Sequence, residues 1–80
     1  MDFVGGDDTK GSLNARGITF EQIMASPILD FVPNPAHLGQ MLLIVEINGY
    51  AHAAPCELRG GAWRIITAYP SRKYQKRYLS

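Results

Sequence analysis

The residues best suited to chemistry lie together in residues 69–80, YPSRKYQKRYLS, which hold Arg72, Lys73, Lys76 and Arg77 with three tyrosines and no acid. Metal-free cleavage of RNA needs a base for the 2′-hydroxyl proton, an acid for the leaving 5′-oxygen and cations for the charge on phosphorus. Arginine's planar fork matches phosphate oxygens, and tyrosine stacks on bases. This segment supplies the cations and the aromatics. The proton-transfer group of obvious type is His52, in the run Tyr50-Ala51-His52-Ala53-Ala54. A histidine flanked by alanines in a strand also serves as a plain structural residue. His37, in a proline-rich stretch, reads as exposed.

The charge is split along the chain. Residues 1–58 carry two basic against seven acidic residues, a net of −5, and residues 59–80 carry six basic residues and no acid, a net of +6. Such a block suits phosphate or an acidic protein surface, and equally a solvated helix face. Eighty residues allow one domain, with a core small enough that a partner would add to its stability. The single cysteine, Cys56, forms no internal disulfide and suits a reducing cytoplasm. No CxxC, HExxH or paired histidines offer metal-ligand spacing, so neither a metal nor another cofactor is expected. No signal peptide is visible at the start, and the longest apolar run, 41–45, is too short to span a bilayer.

Several elements must position these residues. Residues 1–6 read as loose, and a first helix is expected from Asp7 or Asp8 through Arg16, ended by Gly17. A second begins at Thr19: Gln22 three residues on makes a capping box, and Ile18 with Ile23 makes a hydrophobic staple. Phe20, Ile23 and Met24 share its apolar face. Strands follow at 28–32, 41–47, 50–58 and 62–69, the second apolar enough to be covered on both faces. Asn48-Gly49 and Gly60-Gly61 read as two-residue hairpin turns, and Pro55 makes its strand irregular. Ser71 caps a last helix. The expectation is an α+β domain: a four-stranded antiparallel sheet with two helices before it and one after.

Tight turns fix the register. Glu46 then faces Ala51, Val45 faces His52 and Glu57 faces Arg64, so Tyr50 and His52 share one face and Glu57 and Arg64 the other. The last strand leads into Arg72-Lys73, so Arg64, Tyr69, Arg72 and Lys73 are expected to cluster near the sheet's end.

The stretches RGITFEQI, ILDFVPNP, GQMLLIVEINGYAHAAP and YPSRKYQKRYL, from Leu13 to Leu79, resemble the BrnT-type toxins of bacterial type II toxin–antitoxin pairs, and more closely a related branch of them. The resemblance implies a RelE/BrnT-like fold and a ribonuclease that arrests translation and growth. It also implies a cognate DNA-binding antitoxin, of ribbon-helix-helix type, that neutralises it. Carried over residue by residue, it matches Arg64 to an arginine of the last strand and Arg72 and Lys73 to the terminal basic motif, which together are expected to hold the scissile phosphate; His52 is a further catalytic candidate from its residue type, not from the resemblance. Arg16 and Lys76, which match family positions, and Tyr69 and Arg77, by their charge and stacking chemistry, are expected to contact RNA. Where many relatives have a glutamate in the last helix, this chain reads Tyr74-Gln75. A member that keeps the antitoxin-binding or nucleic-acid-binding surface without the chemistry is the alternative.

Overall fold

A computed structural model describes residues 2–5 and 18–79. They form β1 (Phe3–Gly5), α1 (Phe20–Met24), β2 (Ile28–Pro33), β3 (Gln40–Ile47), β4 (Tyr50–Arg59), β5 (Ala62–Ile65), β6 (Tyr69–Pro70) and α2 (Arg72–Tyr78). The sheet runs β1-β5-β4-β3-β2, and β6 pairs with β4 beyond the end of β5. The four-stranded antiparallel, RelE/BrnT-like expectation is therefore overturned. This is a mixed six-stranded sheet with two short helices among the described residues. The first expected helix lies outside the described residues, as does Arg16.

Two departures enlarged the sheet. The stretch expected to be loose contains β1, which pairs parallel with β5 in the register Phe3↔Trp63 to Gly5↔Ile65. Phe3 gives it an anchor, since its ring packs against the core. The single strand expected at 62–69 divides into β5 and β6, and Pro55 is the physical reason. A strand residue sends its N–H and C=O to the same side. The Pro55 carbonyl accepts the Ile66 N–H at 2.9 Å, so the missing proline donor faces the same neighbour. Ladder pairing is Cys56↔Ile65 before the gap and Ala53↔Tyr69 after it. Three residues, 66–68, thus stand opposite two, Ala54 and Pro55, which is a bulge. It turns Tyr69 to one face and sets Pro70, not Tyr69, beside His52.

The hairpins follow the sequence closely. Asn48 and Gly49 have φ of 54° and 79°, and Gly60 and Gly61 have 58° and 83°, the positive pair that this turn type needs. Val45↔His52, Glu46↔Ala51 and Glu57↔Arg64 stand in register as expected.

The sheet curls strongly. On a flat sheet β1 and β2 would lie four strand spacings, about 19 Å, apart. Yet the rings of Phe3 and Phe31 meet edge to face at 5.8 Å, and Phe31 meets Trp63 at 5.3 Å. The concave face buries Leu43, Val45, Ile47, Cys56 and Ile65, together with Ile18 and Ile23 of the α1 segment. Thr19 caps α1 by accepting the Gln22 N–H at 3.1 Å. Met24, expected on the apolar face, is exposed, because five residues turn only Ile23 and part of Phe20 inward.

The outer face carries Leu42, Ile44, Ala51 and Ala53 beneath Tyr74 of α2. Ser71 caps this helix through the Tyr74 N–H at 3.4 Å. Ala51 is fully buried, and α2 satisfies both of its backbone groups: its C=O accepts the Ser71 N–H at 2.9 Å, and its N–H donates to Gln75 Oε1 at 2.7 Å. Gln75 thus has a structural role.

Two outcomes are expected. Gly49→Val should destabilise the chain by about 1 kcal/mol or more, since a β-branched residue resists positive φ. Gln75→Ala should cost about 1–3 kcal/mol by orphaning the Ala51 N–H, while Gln75→Glu, which still accepts, should cost less. Urea titration of the three variants against the parent checks both; a Gln75→Ala midpoint equal to the parent's would refute the backbone role.

Candidate functional site

A cleft of about 580 Å³ opens at the Asn48-Gly49 end of the concave face, lined by Ile18, Gln22, Ile47, Asn48, Tyr50, His52 and Pro70. The fold builds it from three directions. The staple holds Ile18 and Gln22 at the start of α1. The turn sets Asn48 beside Tyr50, and strand periodicity places Tyr50 and His52 on the same face. The bulge after Pro55 delivers Pro70 opposite His52.

His52 is oriented by its own strand. Its Nδ1 lies 2.9 Å from the Tyr50 carbonyl oxygen, and its ring meets the Tyr50 ring edge to face at 6.1 Å. A carbonyl only accepts, so Nδ1 carries the hydrogen. In the neutral ring Nε2 then holds the lone pair, which is the form of a general base. Among the described residues, the lining includes no carboxylate.

The cations are distributed differently from the expected cluster. Arg72 and Lys73 are exposed at the start of α2, two and three residues past Pro70, so their backbone lies within about 11 Å of the cleft wall by chain length. Lys73 Nζ sits 5.2 Å from the Tyr74 ring centre. Arg64 is elsewhere: it faces Glu57, five residues along β4 from His52 and on the opposite face, about 17 Å away along the strand. The Glu57 carboxylate meets Arg59 Nε at 2.9 Å, a surface pair of small energetic weight. Tyr69 is partly exposed on the outer face opposite Ala53. Lys76 and Arg77 occupy the last turn of α2, with the Arg77 guanidinium 5.8 Å from the Tyr78 ring. Arg72 and Lys73 are thus nearest the cleft along the chain, through Pro70, although α2 packs on the outer face and His52 faces the concave one; Arg64, Lys76 and Arg77 lie further from it.

Sequence reasoning missed Gln22, Asn48 and Pro70 as site residues. Asn48 carried a usable signal, since its turn adjoins Tyr50 and His52. Gln22 read only as a cap, and the placement of Pro70 depends on the bulge.

Two other ionisable groups have perturbed surroundings. Burial pushes the Cys56 thiol up to about 11, partly offset by a backbone hydrogen bond, so it stays protonated and unreactive at neutral pH. On the outer face the Tyr78 hydroxyl donates to Asp30, tying the end of α2 to β2. That bond, the Phe31 N–H and the charge of Arg77 hold the Asp30 carboxyl below its usual range. The same bond, with burial and the Asp30 charge, raises the Tyr78 phenol. Among the described residues, no three of His, Cys, Asp and Glu come together as metal ligands, and no helix is long and apolar enough to cross a membrane.

Comparison with protein-family profiles, with curated proteins and with solved structures returns no match. The resemblance to BrnT-type toxins accordingly rests on its sequence motifs alone.

The Asp30–Tyr78 tie has a pH signature. Asp30's contribution is full above the unfolded carboxylate value of about 4 and is lost as pH falls through its lower folded value. Tyr78's contribution is full below the unfolded phenol value of about 10 and is lost as pH rises through its higher folded value. Thermal unfolding of Tyr78→Phe should thus differ most from the parent at neutral pH, and the gap should close in strong acid and strong alkali. A gap independent of pH would show that the tie is not what the substitution removes.

Proposed function

We propose that this chain is a ribonuclease toxin of a bacterial toxin–antitoxin pair, acting on RNA in the cytoplasm and neutralised by a cognate antitoxin. The observation that carries the chemistry is the contact of His52 Nδ1 with the Tyr50 carbonyl oxygen, which leaves Nε2 as the base, in a cleft lined by Pro70 two residues before a basic helix. His52 Nε2 takes the proton of a ribose 2′-hydroxyl, and that oxygen attacks the adjacent phosphorus. The bond to the 5′-oxygen breaks, leaving a 2′,3′-cyclic phosphate; the 5′-oxygen takes a proton from water, and the imidazolium returns its own to solvent. Arg72 and Lys73 hold the charge that develops on the phosphate oxygens. Lys76 and Arg77, further along α2, track the RNA backbone and add affinity that falls with salt. The same basic face suits an acidic segment of a ribbon-helix-helix antitoxin, a partner implied by the motif resemblance.

The separation of Arg64 from the cleft, and a lining with no carboxylate among the described residues, favour a second reading, in which the chain binds antitoxin or nucleic acid without cutting.

Induced expression alone and beside the neighbouring gene, with mapping of RNA 5′ ends, separates the two readings. Purified variants in chelator then assign roles. His52→Ala should lower cleavage by about 10²-fold while leaving RNA affinity nearly unchanged. Arg72→Ala and Lys73→Ala should each cost about 10²-fold to 10³-fold in rate, and Arg64→Ala should cleave at the parent rate. Cleavage by His52→Ala at the parent rate would remove His52 from the mechanism. Salt-sensitive RNA binding with no cleavage by the parent would establish the binding-only reading.

A further inference from the structure

We infer that the cleft beside His52 receives one unstacked adenine of single-stranded RNA, stacked on Tyr50 and read by the side-chain amides of Gln22 and Asn48. The inference rests on the reading of this chain as an RNA-cutting protein and adds the identity of the base at the site.

The lining carries it. At about 580 Å³ the cleft has the size of a small-ligand pocket, large enough for a nucleoside. Among the described residues, its polar side chains are two amides, a phenol and an imidazole, none of them acidic and none a lysine or arginine. The part of a ligand that meets these groups is uncharged and hydrogen-bonding. Among the described residues, the charge nearest along the chain comes where Pro70 leads into Ser71, Arg72 and Lys73. A nucleotide has this division, a neutral base at one end and a phosphate at the other.

The amides are free to read that base. Gln22 uses its backbone N–H and C=O within α1, towards Thr19 and Ser26, and its side-chain amide bonds to no other described residue. The Asn48 side chain likewise makes no hydrogen bond to another described residue. An amide offers a donor and an acceptor side by side, which complements the amino hydrogen and adjacent ring nitrogen of adenine. Tyr50 meets His52 edge to face and is itself partly exposed, so a ring face remains for stacking. Bases in a duplex are not accessible in this way, which restricts the ligand to single strands, bulges or loops.

The test is titration of the full chain with AMP, GMP, CMP, UMP and ribose 5-phosphate, followed by calorimetry and by NMR shifts of Tyr50 and His52. AMP should bind about tenfold or more tighter than the other four. Asn48→Gly keeps a residue that tolerates the positive φ of the turn, and Gln22→Ala keeps the backbone bonds of α1; each should reduce the AMP preference by about tenfold. Four nucleotides binding within about twofold of one another, or an undiminished preference in both variants, overturns the inference. AMP preference in a chain that cuts no RNA retains the inference and removes the ribonuclease reading. Cleavage with no base preference at the cut retains the ribonuclease reading and overturns the inference.

Discussion

A hydrogen that Pro55 does not possess shapes this molecule. β4 is the longest strand, with β3 along one side over nearly its whole length. On its other side, a proline in mid-strand denies the ladder one donor, and the neighbouring chain cannot run past it unbroken. β5 ends, a bulge absorbs one residue, and β6 resumes pairing one position out of step. That step decides which face Tyr69 and Pro70 occupy, how the floor of the cleft is finished, and where Ser71 starts α2. The remaining gap at Ala51 is closed by a side chain, Gln75, rather than by a strand.

The two faces of the sheet are held differently. The concave face closes by curvature, bringing Phe3, Phe31 and Trp63 into mutual contact, so a helix of five residues is enough to cover the rest. The outer face is covered by α2 over small residues, Ala51 and Ala53, which let Tyr74 seat closely. Neither helix is long enough to persist alone; each is held by its cap and by the apolar side chains it buries. The chemistry-bearing side chains follow from this division, with His52 inside the curve and Arg64 outside it.

Local signals were the ones legible in the sequence. Asn48-Gly49, Gly60-Gly61, the Thr19 cap and the Ser71 cap each act within a few residues, and the register of His52 and Arg64 followed from the turns. What was illegible was non-local. Three residues at β1 carry too little pattern to announce a strand, and their partner lies at Trp63–Ile65, far along the chain. Pro55 did signal irregularity, but not that the neighbouring strand, rather than its own, would break. The expected cluster of Arg64 with Arg72 and Lys73 is not formed for a simpler reason: Arg64 pairs with Glu57, four residues along β4 from the Ala53↔Tyr69 pair that leads into α2. Gln22 was readable as a cap and not as a cleft wall, because only the fold brings α1 against the β3–β4 turn.

The parallel pairing of β1 with β5 also sets an order of events during synthesis. The β3–β4 hairpin can form from neighbouring residues as soon as both strands have left the ribosome, but Phe3–Gly5 must wait until Trp63–Ile65 has emerged. Until then Phe3 has no strand to pair with, the curl is incomplete, and Phe31 lacks one of its ring contacts. The nascent chain therefore passes through a stage in which the hairpin is made while part of the concave face is still wet.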